Sequence, residues 1–271
     1  SSEAGLMSSF SSEVGLMTKL HHPNILTFYG ACTKPPNLLM LTEWMDRGDL
    51  FDIIGNPRSP FQRFSLYTRL KMAEQCVVGL CYLHSLVPPV VHRDMKSMNL
   101  LVNEKWDVKI ADFGMSKVKA LYLSEGNKST VGTAAWAAPE VLRSESSNEK
   151  ADVYSVGVII WEIVTKKPPH SELSYFSIIN KGEVGKLELE GMEDIPANIR
   201  ELIEWCVQVK PEDRPSAEET LGRLEEILEG LPLPPKDERR EAVLKEELAK
   251  REEWKAEGEL QMSKGKADSL V

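Results

Sequence analysis

Three side chains in one short stretch of the chain could together transfer a phosphoryl group. Asp94 offers a carboxylate, Lys96 an ammonium two residues later, and Asn99 an amide three residues beyond that. A carboxylate can accept the proton of a hydroxyl nucleophile, an ammonium can neutralise a migrating phosphoryl group, and an amide oxygen can bind Mg²⁺. A second carboxylate, Asp112, begins an Asp-Phe-Gly turn. The set predicts transfer of phosphate from ATP, with Mg²⁺ held on the phosphates.

The spacing of these residues makes the prediction specific. Residues 92–99 read His-Arg-Asp-Met-Lys-Ser-Met-Asn. An isolated His-Arg-Asp would be a weak signal, but here a Lys follows two residues on, an Asn five residues on, and an Asp-Phe-Gly after a predicted strand. The combination favours a catalytic loop over the alternative, a charged surface loop without function.

Regular elements on both sides of this stretch would position it. Two short apolar runs pair as strands around a polar turn and present Asp112 and the catalytic loop at one edge. Apolar residues at helical spacing predict a long amphipathic helix and, later, an apolar helix through a core. The predicted strands are 26–31, 38–44, 100–102 and 108–110. The predicted helices are 65–85, 152–165, 175–180, 199–206 and 217–228.

Composition and charge exclude other classes of function. The net charge of -9 argues against a nucleic-acid-binding protein, which normally presents a basic face. The longest apolar run, 153–164, is too short to span a bilayer, so we expect no integral membrane segment. The four cysteines show no paired spacing. We interpret them as reduced, mostly packed thiols of a cytoplasmic protein, with zinc ligation as the alternative.

Two further motifs give the chain a family resemblance. Residues 132–140 read Gly-Thr-Ala-Ala-Trp-Ala-Ala-Pro-Glu, and residues 152–158 read Asp-Val-Tyr-Ser-Val-Gly-Val. With the segments above, they resemble a eukaryotic protein kinase domain of the tyrosine-kinase-like group, near the Raf and mixed-lineage kinases, and of serine/threonine type. The resemblance covers residues 13–228. It implies an α+β, protein-kinase-like bilobal fold with an incomplete small lobe and a mostly helical large lobe.

The resemblance also implies a division of the chain. We expect a partial small lobe over 1–44, the large lobe over 45–230, and a linker with a tail over 231–271. The linker begins Leu-Pro-Leu-Pro-Pro, and the tail is dense in Glu, Lys and Arg, often four residues apart. This pattern predicts a solvated single helix. A helical binding partner for the tail is the alternative to an inert segment.

The resemblance assigns the chemistry to individual residues. It implies that Asp94 is the catalytic base, that Lys96 contacts the γ-phosphate, and that Asn99 and Asp112 bind Mg²⁺. A Lys at position 96 and a Thr at position 133 are typical of kinases that act on serine and threonine. We therefore expect Ser/Thr residues of proteins as substrates, with dual specificity left open. The pocket from Thr133 to Trp136 for the next substrate residue carries no charge, so it predicts no charge preference.

The resemblance places the nucleotide in a second group of residues. Thr42 falls at the gatekeeper position, and Glu43 and Met45 lie in the hinge, whose backbone groups would bond to adenine. Asp49 and Leu101 complete the expected ATP site, with Leu101 packed below the adenine.

Other residues receive structural and regulatory roles from the resemblance. Glu140 and Arg214 would form a buried ion pair that braces the large lobe, and Arg93 would bind a phosphorylated activation loop. The candidate phosphorylation sites are Ser124, Ser129 and Thr130. The residues expected to stack between the lobes are Met17, Phe28, His92 and Phe113, where we expect His92 to be a packed, hydrogen-bonded histidine.

Two motifs of the family are absent from the 271 residues. One is the glycine-rich Gly-x-Gly-x-x-Gly loop, and the other is the Val-Ala-x-Lys strand whose Lys grips the α- and β-phosphates. Glu13 fits the helix Glu that pairs with this Lys, but Lys19 lies in the same helix and cannot be its partner. We expect an N-terminally truncated piece of an active kinase, with very weak phosphotransfer or none by itself. The alternative is a pseudokinase-like interaction or scaffold module without phosphotransfer.

Overall fold

The computed structural model describes residues 10, 14–34, 38–112, 134–183, 188–235 and 238. Within them, helices and short strands combine into a mixed α and β architecture. The strands are β1 (Phe28–Cys32), β2 (Leu39–Thr42), β3 (Gly48–Asp49), β4 (Leu100–Val102) and β5 (Val108–Ile110). The helices are α1 (Leu50–Gly55), α2 (Leu66–Ser85), α3 (Pro139–Leu142), α4 (Lys150–Thr165), α5 (Tyr175–Glu183), α6 (Ala197–Cys206) and α7 (Ala217–Glu229).

Strands β1 and β2 form the predicted hairpin. They pair antiparallel, with Phe28 opposite Thr42 and Cys32 opposite Leu39. Large apolar side chains on this hairpin remain exposed, including Tyr29, Leu39 and Leu41. The hairpin is therefore a sheet whose side chains are only partly covered by the described residues.

A second sheet, in the order β3-β4-β5, carries the catalytic loop. β4 and β5 pair antiparallel as predicted, and Leu100 lies opposite Ile110. The turn between them closes because the Asn103 N–H donates to the Asp107 carbonyl (3.1 Å). Because β4 and β5 are antiparallel, the residue before β4 and the residues after β5 lie side by side at the same end of the sheet. The sequence prediction missed β3, which has only two residues and begins at Gly48 with φ of 75°.

Helix α2 forms where the apolar spacing predicted it. The Ser65 hydroxyl caps its N-terminus by accepting from the Thr68 N–H. On its inner face, Gly79 allows a close approach, because a Cβ there would lie 2.8 Å from the Asn24 carbonyl oxygen. The same Asn24 carbonyl accepts from the Ile110 N–H (2.9 Å). The segment that begins at Asn24 is therefore held between α2 and β5.

Helix α4 runs through the core. Thirteen of its sixteen residues are buried, so it presents almost no face to solvent. Gly157 permits tight packing on α6, since a Cβ there would lie 2.6 Å from the Cys206 Cβ. The helix ends at Thr165, as predicted, and the next residue, Lys166, caps it with a left-handed backbone, with φ of 59°.

The predicted ion pair between Glu140 and Arg214 is confirmed. Arg214 Nη1 donates to Glu140 Oε1 (2.7 Å) and Nη2 donates to Oε2 (2.8 Å). Both side chains are buried, and the guanidinium also lies over the Tyr154 ring. Since the two parallel bonds satisfy both carboxylate oxygens, the pair fixes α3 relative to the segment before α7.

The linker region makes one contact that the sequence does not predict. Glu238 accepts hydrogen bonds from the Ser65 N–H (2.8 Å) and the Ser65 hydroxyl (2.9 Å), and it also contacts the Thr68 hydroxyl. A carboxylate at the N-terminus of α2 complements the positive end of the helix dipole. This contact attaches the chain after the linker to the helical part of the molecule.

The cysteines are mostly packed thiols, as expected. Cys76 and Cys206 are buried, Cys81 is partly buried, Cys32 is exposed, and all four are free thiols. Burial raises the pKa of Cys76 and of Cys206 to about 12.

Among the described residues, no helix is long and apolar enough to cross a membrane, and no group of three or more His, Cys, Asp or Glu side chains could hold a metal ion. Of the residues expected to stack between the lobes, Met17 and His92 are buried, Phe28 is partly buried, and Phe113 lies outside the described residues.

Candidate active site

The backbone of the catalytic loop is fixed by a carboxylate from α4. Asp152 Oδ1 accepts from the Arg93 N–H (2.8 Å), and Oδ2 accepts from the His92 N–H (2.8 Å) and from His84 Nε2 (3.0 Å). Arg93 has φ of 65°, a conformation that residues other than glycine adopt only when their surroundings hold it. The sequence prediction missed Asp152 as a positioning residue, although a carboxylate in the first turn of an apolar helix is a usable signal.

His92 is packed and fully hydrogen-bonded, as predicted. Its Nε2 lies 2.9 Å from the Ala111 carbonyl oxygen, and its Nδ1 lies 3.3 Å from the Asp94 N–H nitrogen. A carbonyl can only accept and an amide N–H can only donate, so Nε2 carries the proton and Nδ1 accepts. With both nitrogens engaged and the side chain buried, His92 orients the loop and is not available as an acid or base.

The three candidate catalytic residues meet around one carboxylate oxygen. Asp94 Oδ2 lies 3.1 Å from Lys96 Nζ and 3.1 Å from Asn99 Nδ2. Asn99 Nδ2 also donates to the Asp94 carbonyl (2.7 Å). All three side chains are buried. Because the Asn99 amide nitrogen faces Asp94, its oxygen Oδ1 is the atom that could reach a cation.

Asp112 is placed beside the same loop. The Ala111 N–H donates to the Asn99 carbonyl (2.8 Å), while the Ala111 carbonyl accepts from His92, so the residue before Asp112 is held on both sides. Asp112 itself is exposed and left-handed, with φ of 61°. Its carboxylate and the Asn99 amide oxygen are the hard oxygen ligands that Mg²⁺ prefers. The donor set therefore fits the magnesium ion that the sequence predicts.

The hinge is tied to β5 through Glu43. Glu43 Oε1 accepts from the Thr27 N–H (2.6 Å) and from Lys109 Nζ (2.6 Å), and the Glu43 N–H donates to the Thr27 carbonyl. Burial pushes the pKa of Glu43 upward, but the hydrogen bonds from Lys109 and Thr27 outweigh it and hold the pKa below its usual value. Lys109 lies three residues before Asp112. The Glu43 side chain is therefore a structural brace, and because the N–H is also engaged, the backbone carbonyl is the group left for a ligand.

Two of the predicted nucleotide-site residues share an apolar cluster. Met45 packs with Leu26 and Ala111, and Leu101 lies against them. Asp49 has a different environment, because its carboxylate caps helix α1 by accepting from the Asp52 N–H (2.9 Å). Burial raises the pKa of Asp49 above its usual value.

The remaining predicted residues fall into two groups. Thr42 ends β2, and its hydroxyl donates to the Glu43 carbonyl (3.3 Å). Arg93 is exposed. The predicted residues that lie outside the described residues are Glu13, Phe113, Ser124, Ser129, Thr130 and Thr133.

A buried carboxyl group on α4 was missed by the sequence prediction. Glu162 Oε1 lies 2.8 Å from the Ser97 hydroxyl, which donates to it, and Oε2 accepts from Trp136 Nε1 (3.0 Å). Burial raises the pKa of Glu162 to about 8, although both hydrogen bonds act in the opposite direction. The only sequence signal was a Glu within an otherwise apolar stretch.

Comparison with known proteins identifies the class of protein that this fold and site define. The family model of the protein kinase domain matches residues 1–223. The chain therefore belongs to the protein kinase family, which confirms both the resemblance and the α+β kinase-like fold.

Individual relatives agree with this assignment. The chain is 45% identical over 226 residues to the probable serine/threonine-protein kinase SIS8 of Arabidopsis thaliana, covering 82% of this chain and 21% of that protein. It is 40% identical over 230 residues to the serine/threonine-protein kinase CTR1 of the same plant, covering 84% and 28%. It is 38% identical over 225 residues to the dual specificity protein kinase shkA of Dictyostelium discoideum, covering 82% and 42%. The chain thus spans less than half the length of each of these relatives.

Proposed function

We propose that the protein transfers the γ-phosphate of ATP to serine and threonine residues of protein substrates in the cytoplasm. The observation that carries this proposal is the meeting of Asp94, Lys96 and Asn99 around a single buried carboxylate oxygen, at 3.1 Å from each partner. The geometry matches the roles of base, phosphate ligand and metal ligand that phosphoryl transfer requires. Relatives named as serine/threonine and dual specificity kinases support the substrate class.

Each residue has one task in this proposal. The Asp94 carboxylate accepts the proton of the attacking hydroxyl as that oxygen bonds to the γ-phosphorus, while the bond to the bridging oxygen breaks and ADP leaves. Lys96 neutralises the migrating phosphoryl group from beside the base. Asn99 and Asp112 hold Mg²⁺, which offsets the negative charge of the ATP phosphates.

The adenine belongs on the other side of Asp112. Backbone groups of Glu43 and Met45 bond to it, and the cluster of Met45 and Leu101 packs against its ring. Thr42 lies at one end of this site and Asp49 at the other. We infer the same division of the chain as the sequence suggests, with 1–44 above the nucleotide, 45–230 below it, and 231–271 as linker and tail.

A second candidate function is a pseudokinase-like module that binds partners without phosphotransfer. It is favoured by the absence, from the 271 residues, of a glycine-rich loop and of a Val-Ala-x-Lys motif. Those motifs grip the ATP phosphates from above in the family. The charged tail, which apart from Glu238 lies outside the described residues, is the segment through which such a module could bind a partner helix.

A phosphotransfer assay separates the two functions. We expect very weak transfer by the 271-residue chain, and robust transfer to serine and threonine by the product of the whole reading frame. In that product, Asp94→Asn lowers kcat by roughly a hundredfold to ten-thousandfold, as loss of a general base does. The exposed Asp213→Asn is the matched control and leaves kcat unchanged. A whole product that transfers no phosphate would overturn the phosphotransfer proposal and favour the binding module.

A further inference from the structure

Helix α4 carries a stripe of polar side chains inside an apolar core. Asp152, Ser155 and Glu162 are all buried, and at 100° per residue they fall within about 80° of arc. Each has a hydrogen-bond partner outside the helix. A buried polar group destabilises the fold unless it has a hydrogen-bond partner. Because every member of this stripe has one, the stripe fixes which segments pack against this face of the helix.

The stripe contacts two separate segments. Asp152 and Glu162 bond to the catalytic loop, at the His92 N–H and at the Ser97 hydroxyl. Ser155 and Glu162 bond to the segment 134–138, because the Ser155 hydroxyl donates to the Trp136 carbonyl (2.8 Å) and Trp136 Nε1 donates to Glu162. Glu162 is the one member of the stripe that contacts both segments.

We propose that Glu162 is a positioning residue that couples the catalytic loop to the segment 134–138 through Ser97 and Trp136. Ser97 directly follows Lys96, so a displacement at Ser97 moves the phosphate ligand. Trp136 lies in the pocket that the sequence assigns to the protein substrate. The structural coupling stands on geometry alone, while its effect on substrate turnover rests on the proposed function.

The coupling depends on a group that can serve two partners at once, and not on a negative charge. Burial raises the pKa of Glu162 to about 8, which disfavours its charged form. A glutamine has the same shape: its amide oxygen accepts from Trp136 Nε1, and its amide nitrogen donates to the Ser97 hydroxyl, which can accept. Glu162→Gln therefore preserves the bridge, whereas Glu162→Leu removes it at similar volume.

Hydrogen exchange measures the coupling independently of activity. Peptide-level exchange is followed over 94–99 and 134–138 in the 271-residue chain and in four variants. Glu162→Leu speeds exchange in both segments by roughly tenfold to a hundredfold, the equilibrium effect of losing a buried hydrogen bond. Glu162→Gln stays within about threefold of the parent chain. Ser97→Ala speeds exchange in 134–138, and Trp136→Phe speeds it in 94–99.

A matched control removes a hydroxyl from the same helix outside the stripe. Within the part of the chain that the structure describes, the Thr165 hydroxyl bonds only to the Trp161 carbonyl (2.8 Å), so Thr165→Val leaves exchange in both segments unchanged. Thermal melting of each variant separates local opening from global loss of the fold. If Ser97→Ala and Trp136→Phe each act only on their own segment, or if Glu162→Gln matches Glu162→Leu, the coupling is wrong.

Kinetics of the whole reading-frame product test the functional consequence. Glu162→Leu lowers kcat/KM for a protein substrate roughly tenfold or more and leaves KM for ATP unchanged. Glu162→Gln keeps kcat/KM near the parent value. A parent product without phosphotransfer overturns the proposed function but leaves the exchange result intact. An active parent in which Glu162→Leu alters neither constant overturns the consequence for turnover.

Discussion

The β1–β2 hairpin and the surroundings of helix α4 are organised in opposite ways. On the hairpin, Tyr29 and Leu41 are 65% and 64% exposed. On α4, Ile160 is 0% exposed and the polar side chains lie among apolar ones with all their partners in place. A sheet with large exposed apolar side chains contributes little burial, whereas a buried, hydrogen-bonded helix contributes both burial and specificity.

The difference separates the two halves of the candidate site. The candidate base, phosphate ligand and metal ligand are all held by the α4 side, through Asp152, His92 and the end of the β4–β5 pair. The hinge side is held through a narrower set of contacts, which includes the Glu43–Lys109 pair and the bonds of Asn24 and Leu26 to β5. We infer that the lower half of the site is rigid by itself, and that the geometry of the upper half depends on those few contacts.

The largest effect that tests this contrast is expected at the buried ion pair. Arg214→Met leaves Glu140 buried without its partner, and such a loss typically destabilises a protein by about 3–5 kcal/mol. The free energy of unfolding from urea titration measures it. The control is Arg223→Met, which removes a partly exposed arginine bonded to the exposed Glu226 and Glu201 and changes the midpoint little. Equal midpoints for the two variants would show that the α4 side is not the rigid half.

Local patterns were enough to predict much of the fold. Helix α2 follows from apolar spacing and a capping serine, and the β4–β5 pair follows from two apolar runs around a polar turn. The candidate catalytic residues were also predictable, because Asp94, Lys96 and Asn99 lie within six residues of one another. In such cases the chain places the interacting groups together before any tertiary contact forms.

Other features depend on residues that are distant in the sequence. Asp152 lies 60 residues from His92, and Glu162 lies 65 residues from Ser97. Nothing in the local pattern of α4 says which segment its polar groups will meet. The two-residue strand β3 was missed for a different reason, since pairing with β4 defines it and its own composition does not.

A smaller effect is expected at the Glu43–Lys109 pair, which joins the two halves. A double-mutant cycle of Glu43→Gln and Lys109→Met gives a coupling energy of roughly 0.5–1 kcal/mol, because both side chains are only partly buried. The pKa of Glu43 is lowered on folding from its ordinary value of 4.5. Its stabilising contribution is therefore complete above that value and is lost as the pH falls through the lowered one.

Urea titrations at several pH values check this prediction. The coupling energy is constant from pH 6 to pH 7, where the Glu43 carboxylate is charged. It shrinks as the pH is lowered toward about 4, near the ordinary pKa of a glutamate side chain. Lys105→Met, in the exposed turn between β4 and β5, serves as the control for loss of a lysine. A coupling energy that is independent of pH throughout would mean that packing, and not charge, joins the hinge to β5.

The smallest effect is expected on the hairpin itself. Leu41→Thr replaces a side chain that is 64% exposed, and threonine suits a strand, so the free energy of unfolding changes by no more than about 0.5 kcal/mol. Light scattering shows less self-association, because an exposed apolar patch is reduced. On α2, Leu80→Ala empties a site that is 1% exposed and destabilises by about 2–5 kcal/mol. If Leu41→Thr costs as much as Leu80→Ala, the outer face of the hairpin is covered in solution, and the two regions are equally well packed.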